Sequence, residues 1–175
     1  MLENAEKVTV SRIALRIGSE AVENRAPLAE LAVALYSRKP SLFKKKEIAE
    51  MVKTFAQESS NPAFITYLAA LGPAALLQIA EAYLHAANHH EDGSNLVTAV
   101  EQIVAADPKA PEVEALKLVI VKNLSSHYDH WREMDRALAR SGNVDMFPAI
   151  IEYVGKNKLD AAHLLRLSEF IREQP

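Results

Sequence analysis

The sequence predicts an all-α protein, and three features of its 175 residues support this class. Apolar residues recur at helical spacing along almost the whole chain, and no run of strict polar–apolar alternation bounded by turn residues is present. The stretch from Asn61 to His90 carries one formal charge, Glu81, although 25% of the chain is charged, so we expect it to be buried. Helix-breaking pairs divide the chain into short segments. We therefore predict a single domain over residues 1–175, with seven to nine antiparallel helices joined by short loops.

Two other arrangements fit the same pattern. Residues 1–60 form an N-terminal helical subdomain in one, and the helices form an open solenoid of helical hairpins in the other. The triplets that begin at Leu28, Ile48 and Ile79 resemble one another, but they are separated by 20 and 31 residues. No fixed period exists, so the sequence favours the single domain over a regular repeat.

In the first half of the chain, two amphipathic stripes precede a buried hairpin. The stripes have the spacing of helix faces pressed onto a core, and they consist of Leu28, Leu31, Ala32 and Leu35, then Ile48, Met51, Val52 and Phe55. Asn61-Pro62 predicts a capped helix start, and Gly72-Pro73 predicts a left-handed stop followed by a new helix. Residues 62–88 are thus predicted to be two buried helices at the centre of the fold.

The second half of the chain continues with the same signals. Gly93-Ser94 closes one helix and opens the next, and Asp107 to Pro111 is a rigid linker. Between Pro111 and Gly142 we predict one long helix of about 29 residues, kinked at Ser125-Ser126. The last two stripes are predicted to face the core, with Asp160 as the cap of the final helix; they consist of Phe147, Ile150, Ile151 and Val154, then Leu164, Leu167 and Ile171.

Composition excludes several kinds of chemistry. The chain has no Cys, which removes disulfides, thiolate nucleophiles and sulfur-ligated metal sites. Its five glycines are far apart in sequence, so neither a dinucleotide-binding turn nor a phosphate-binding loop can form, and no GxSxG motif occurs. No catalytic residues are predicted, and we do not expect an enzyme.

The sequence does not predict a membrane protein or an exported one. The first residues include Glu3 and Glu6 and lack the apolar run of a signal peptide. Phe64 to Leu84 is long enough to cross a bilayer, but Gly72-Pro73 interrupts it and Glu81 adds a charge, which favours a buried hairpin. A cytoplasmic location is expected.

Histidines form two clusters that suggest a metal site. If the two helices that carry them pack side by side, five side chains could converge on zinc, or on iron or manganese: Glu81, His85, His89, His127 and His130. The alternative is a solvated helix end, since His near a helix C-terminus is favoured by the helix dipole. No HExxH motif or paired ExxH motif is present, so no cofactor is the first expectation.

A basic cluster lies around Pro40-Ser41. Its members are Arg38, Lys39, Lys44, Lys45, Lys46 and Lys53. Such a cluster can pair with nucleic-acid phosphates or with an acidic protein surface, although the net charge of −3 does not favour nucleic acid for the whole protein. A solvated helix face is the alternative interpretation.

The third candidate is an aromatic and charged patch that contains Tyr128, Trp131 and Arg132, residue types that dominate protein interfaces. Alternatively, Trp131, Met134 and Leu138 form a core stripe, which we favour. Taken together, the sequence predicts a non-enzymatic helical module for protein–protein interaction or regulation, with self-association as one form of it. A metal-binding protein and a nucleic-acid-binding protein are the alternatives.

Overall fold

The computed structural model describes residues 2–88, 93–124, 128–142 and 145–173, and the regular secondary structure within these ranges is all helical. Two short 3₁₀ helices, Pro40–Leu42 and Pro73–Ala75, accompany ten α-helices. The α-helices are α1 Leu2–Ile17, α2 Val22–Arg38, α3 Lys45–Gln57, α4 Pro62–Ala70, α5 Leu76–Asn88, α6 Ser94–Ala106, α7 Pro111–Asn123, α8 Tyr128–Gly142, α9 Phe147–Lys156 and α10 Ala161–Glu173.

The all-α class is confirmed, but the predicted count of seven to nine helices is too low. The segment predicted as one long kinked helix forms two helices, α7 and α8, which pack against each other. Both halves of this segment carry apolar stripes, and folding back lets α8 pack its stripe against α6 as well as against α7. The predicted kink at Ser125-Ser126 lies outside the described residues.

The predicted helix boundaries are explained by local hydrogen bonds and backbone angles. Asn61 caps α4, since its side-chain oxygen accepts from the backbone N–H of Ala63 at 3.1 Å. Asp160 caps α10 in the same way, accepting from the backbone N–H of His163 at 2.7 Å. Gly72 ends α4 with φ at 66°, the positive-φ backbone predicted for the break before Pro73.

The helices pack as a two-layer stack of hairpins. α1 packs on α2, α3 on α4, α5 on α6 and α7 on α8. Within one layer α1, α3, α5, α7 and α9 contact one another in succession, and within the other layer α2, α4, α6 and α8 do the same. This contact order is that of stacked helical hairpins, the arrangement considered above as an alternative.

The predicted central hairpin is buried. Leu68 and Leu76 are fully enclosed, while Tyr67 is half-buried among the rings of Phe55 and Phe64, at centroid distances of 6.0 and 5.5 Å. Among the described residues no single helix is long and apolar enough to cross a bilayer. Only α4 taken together with Pro73–Ala86 meets that criterion, and the two parts are bent by 107°.

Three predicted core stripes are partly wrong. Leu31 in α2 is 48% exposed, because the buried face of this helix is centred on Ala29, Val33 and the correctly predicted Ala32. In α9 and α10 several predicted core side chains face solvent: Phe147, Ile151, Val154, Leu164 and Ile171. The last hairpin, α9 with α10, packs on the stack through Ala149, Ile150, Leu167 and Phe170, so the prediction is confirmed for Ile150 and Leu167.

Candidate functional site

A groove between α3 and α5 is one candidate site. It has a volume of about 380 Å³, and its floor is apolar, with Val52 and Leu96 between the methyl groups of several alanines. Its rim is polar: Lys53 and Gln57 stand on the α3 wall, and Gln78, Glu81 and His85 stand on the α5 wall. The groove therefore brings one member of the basic cluster beside two members of the predicted metal site.

Glu81 and His85 lie on the side of α5 that faces α3, whereas the neighbouring Tyr83 reaches α8. Tyr83 is buried, and its hydroxyl donates a hydrogen bond to the carboxylate of Glu133 in α8. Burial, the hydrogen bond and the charge of Glu133 together raise the pKa of Tyr83 well above its ordinary value, so the phenol stays protonated. The contact between α5 and α8 is thus made by a tyrosine.

The predicted metal site is only partly described. His89 and His127 lie outside the described residues, as does the side chain of His130. Among the described side chains, no group of three or more His, Asp or Glu residues is arranged to hold a metal ion. Glu81 and His85 are exposed and share the groove wall, so the convergence of all five side chains stays a prediction.

The basic cluster occupies the connection between α2 and α3. Arg38 and Lys39 end α2 and Lys44 to Lys46 begin α3, with every one of these side chains exposed. Within the described residues Arg38, Lys44, Lys45, Lys46 and Lys53 form no ion pair. The connection is consequently a positively charged edge of the stack.

Buried Glu47 fixes the start of α3 beneath this positive edge. Its carboxylate accepts from the backbone N–H of Lys44 at 3.0 Å and from the hydroxyl of Ser11 in α1 at 2.9 Å. Burial by itself would raise the pKa of Glu47, but these hydrogen bonds and the charge of Lys44 lower it below its ordinary value. The residue is therefore ionised at neutral pH and joins α1 to α3.

The aromatic patch is largely a core feature. Trp131 is 1% exposed and packs in the core with Met134 and Leu138, so the structure places its indole away from any interaction surface. Arg132 is half-buried, and the side chain of Tyr128 lies outside the described part of the chain. Trp131, Met134 and Leu138 lie on the same face of α8, and this face packs on the core and buries the indole.

A second candidate site, the outer face of the last hairpin, is held rigidly on α7. The buried amine of Lys117, 4% exposed, donates to the backbone carbonyl of Asp145 at 3.0 Å, and the carboxylate of Asp145 accepts from the backbone N–H of Phe147 at 2.9 Å. These bonds fix where α9 begins.

α10 is anchored to the same helix. The Nε2 of buried His163 lies 3.0 Å from the carbonyl of Val121, and because a carbonyl can only accept, Nε2 carries the proton and donates. The ring of His163 also stacks on Tyr153 of α9, with centroids 5.4 Å apart. α9 and α10 are thereby fixed to each other and to α7.

The outer face consists of Phe147, Ile151 and Val154 in α9 with Leu164 and Ile171 in α10. These side chains are between 38% and 70% exposed, and Ile151 is the most exposed of them. In α9 they share one side with Pro148 and Gly155, both exposed, so that no charged side chain interrupts this arc. Large apolar side chains grouped on an outer surface mark an interaction site more often than scattered ones do.

The sequence contained a signal for this face that the stripe prediction missed. A helix with one buried face carries an apolar arc of about 100°, and the rest of it is polar. α9 has a single charge, Glu152, before its last residue, so its apolar arc is far wider than one buried face needs. The part of this apolar arc that is not needed for burial forms the α9 part of the outer face.

Comparison with known proteins identifies no relative of this chain. No protein-family model matches the chain, and no curated protein or solved structure matches it. Function is therefore inferred from geometry.

Proposed function

We propose that this chain is a non-enzymatic protein–protein interaction module and that it binds its partner through the outer face of α9 and α10. One observation carries the proposal: large apolar side chains are exposed on one side of α9, at Phe147, Ile151 and Val154, and further ones are exposed on α10, at Leu164 and Ile171. Burying apolar surface is the main driving force of protein association.

The chemistry of the face supports binding rather than catalysis. Its five members are aliphatic or aromatic, and the uncharged arc of α9 continues through Pro148 and Gly155. A surface without titratable groups cannot transfer protons or act as a nucleophile, but it can bury area against a complementary surface. Rigid attachment of the hairpin through Lys117 and His163 limits the conformational entropy lost on binding.

A site-specific cross-linking experiment tests this function. A photo-reactive amino acid is placed at Ile151 in one variant and at Leu31 in the control variant. Leu31 is a matched control because it is also a large, exposed aliphatic residue on a helix, but it lies on α2. Irradiation of cells that express the chain is expected to give a defined protein adduct from position 151 and none from position 31. Equal adducts from both positions, or none from position 151, would contradict the proposal.

Binding of nucleic acid is a second candidate, favoured by the exposed cations at the connection between α2 and α3. If all five exposed cations contact phosphates, the logarithm of the affinity for duplex DNA falls with the logarithm of salt concentration with a slope of about −4 to −5. Charge reversal at Lys45 and Lys46 should reduce the slope by about two. A flat salt dependence would exclude this candidate.

A further inference from the structure

We propose that the groove between α3 and α5 binds a small zwitterion with an apolar body, a ligand of the chemical class of free amino acids with large apolar side chains. This site is separate from the outer face of α9 and α10, so the inference goes beyond the proposed function. One juxtaposition carries it: Lys53 and Glu81 stand on opposite walls of a cavity lined by alanines.

The groove is open because the facing sides of α3 and α5 carry small side chains. Ala49 and Ala56 lie on the α3 side, and Ala82 and Ala86 lie on the α5 side. Large side chains would fill the space between two adjacent helices, as in a closely packed interior, whereas these methyl groups leave about 380 Å³ unfilled. A cavity of this volume is at the lower end of the range for small-molecule sites, so it fits a compact ligand rather than a long protein segment.

The two walls of the groove carry opposite charges that do not neutralise each other. Neither Lys53 on α3 nor Glu81 on α5 forms an ion pair with any side chain in the described ranges. Helices packed side by side have axes about 8–10 Å apart, so a ligand with an ammonium and a carboxylate on neighbouring atoms can reach both walls. Its carboxylate pairs with Lys53 and its ammonium with Glu81, each through a charge-assisted hydrogen bond.

This arrangement of charges disfavours other classes of small ligand. A simple carboxylate beside Lys53 would also face the carboxylate of Glu81, and a simple amine beside Glu81 would also face the amine of Lys53. An uncharged apolar ligand would remove both charged groups from part of their water without offering them a partner. A ligand that carries both signs and an apolar body matches the walls and the floor together.

A buried hydroxyl at the far end of the groove is a second, independent indication of a ligand. The groove continues into a smaller cavity of about 240 Å³, which shares Ala56 and Leu96 with it and is also lined by Ser59. Ser59 is 8% exposed, and its backbone is fixed: its N–H donates to the carbonyl of Ala56 at 3.2 Å, and its carbonyl accepts from the side chain of Asn95 at 2.9 Å.

The hydroxyl of Ser59 forms no hydrogen bond within the part of the chain that the structure describes, and its oxygen keeps access to solvent. Buried polar groups are normally hydrogen-bonded, so this hydroxyl is open to a polar atom of the ligand. Lys53 and Ser59 are six residues apart in α3 and the turn after it, about 9 Å at the helical rise. A ligand with its charges at one end and a hydroxyl at the other can reach both.

A chemical-shift titration of the backbone amides tests this site, with L-phenylalanine as the probe at up to about 10 mM. We expect a dissociation constant below about 1 mM, with the shifted amides in α3 and α5. N-acetyl-L-phenylalanine lacks the ammonium and L-phenylalaninamide lacks the carboxylate. Each should bind about tenfold more weakly, because it leaves one wall of the groove without its partner.

Substitutions on the two walls assign each end of the ligand. Lys53→Gln should weaken the binding of L-phenylalanine about three- to tenfold and abolish its advantage over L-phenylalaninamide. Glu81→Gln should weaken it to a similar degree and abolish its advantage over N-acetyl-L-phenylalanine. Both side chains are exposed, so neither change should unfold the chain. The matched control is Lys122→Gln, the same change at an exposed lysine of α7, which should leave all three constants unchanged.

L-Tyrosine provides the test of Ser59, since it adds one hydroxyl to the far end of the L-phenylalanine side chain. It should bind several times more tightly than L-phenylalanine to the wild type. Ser59→Ala should remove this difference without changing the affinity for L-phenylalanine. Equal affinities for the two amino acids in the wild type would contradict the role assigned to Ser59.

Three results would overturn the inference: no shifted amides with L-phenylalanine, equal binding of L-phenylalanine and its two blocked derivatives, or shifts confined to α9 and α10. Equal binding would mean that the charged ends of the ligand are not recognised. The proposed function is tested separately, since the cross-linking result at position 151 does not depend on what the groove binds.

Discussion

Substitution of Gly72 by Ala tests the backbone that separates α4 from the helices after it. An alanine Cβ at position 72 would meet no heavy atom within 4 Å, so steric overlap is absent. The cost must instead come from the backbone, whose φ of 66° and ψ of −162° are accessible almost only to glycine. Holding another residue there costs about 1–3 kcal/mol.

Part of this cost is offset in the unfolded state. Replacing glycine by alanine lowers the entropy of the unfolded chain, which stabilises the fold by about 0.4–1 kcal/mol. We therefore expect Gly72→Ala to lower the free energy of unfolding by about 1–2 kcal/mol, and the midpoint temperature by about 2–4 °C for each kcal/mol in a chain of this length.

Gly155→Ala is the matched control for this prediction. A Cβ at position 155 also meets nothing within 4 Å, but Gly155 lies in the helix α9, where no positive φ is needed. The same substitution should raise the free energy of unfolding by up to about 0.5–1 kcal/mol there. Only the backbone angles distinguish the two sites.

Urea unfolding at neutral pH, followed by circular dichroism, measures both variants. A Gly72→Ala variant as stable as the wild type would refute the reasoning. Equal destabilisation by the two substitutions would refute it too, since loss of glycine itself and not its φ would then be the cause.

The remaining predictions concern buried polar contacts. Folding lowers the pKa of Glu47 below 4.5, so its ionised form stabilises the fold above that pH, and the stabilisation is lost as the pH falls through the folded-state pKa. Glu47→Gln should therefore weaken the loss of stability in acid, which urea midpoints measured from neutral to acidic pH would show. Lys117→Met removes the hydrogen bond to Asp145 and should raise amide exchange at the start of α9 by about tenfold, measured by mass spectrometry. Gly93→Ala places a Cβ 2.8 Å from the ring of Tyr83 and should lower the melting temperature by several degrees.

The sequence predicts the all-helical class and several helix boundaries, because those boundaries are set locally. Asn61 and Asp160 cap helices through hydrogen bonds to residues two or three positions away, and Gly72 ends a helix through its own φ. Local chemistry of this kind can be read from the order of residues.

The layout of the helices depends on contacts between residues far apart in the chain. Whether Pro111 to Gly142 continues as one helix or folds back depends on what its apolar stripes meet, and the stripes alone do not specify that. Similarly, the spacing of Phe147, Ile151 and Val154 is the same whether a neighbouring helix covers them or not. The last hairpin's solvent-facing side was therefore predicted as core.

The groove between α3 and α5 combines residues that the sequence assigned to separate sites. Lys53 belongs to the basic cluster, whereas Glu81 and His85 belong to the histidine cluster, and about thirty positions separate them in the chain. They meet because α3 and α5 are adjacent in one layer. The sequence has no repeat of fixed length from which this contact between α3 and α5 could be predicted.

The linear stacking of hairpins also determines the order in which parts of the protein unfold. Each hairpin derives its stability from its own packing and from the hairpins on either side, so an end opens at a lower free energy than the middle. α9 and α10 lose fewer contacts on detaching than α5 does, and their amide protons should exchange with deuterium sooner. The protection of the α9 and α10 amides from exchange would then measure the fraction of time that a partner covers these two helices.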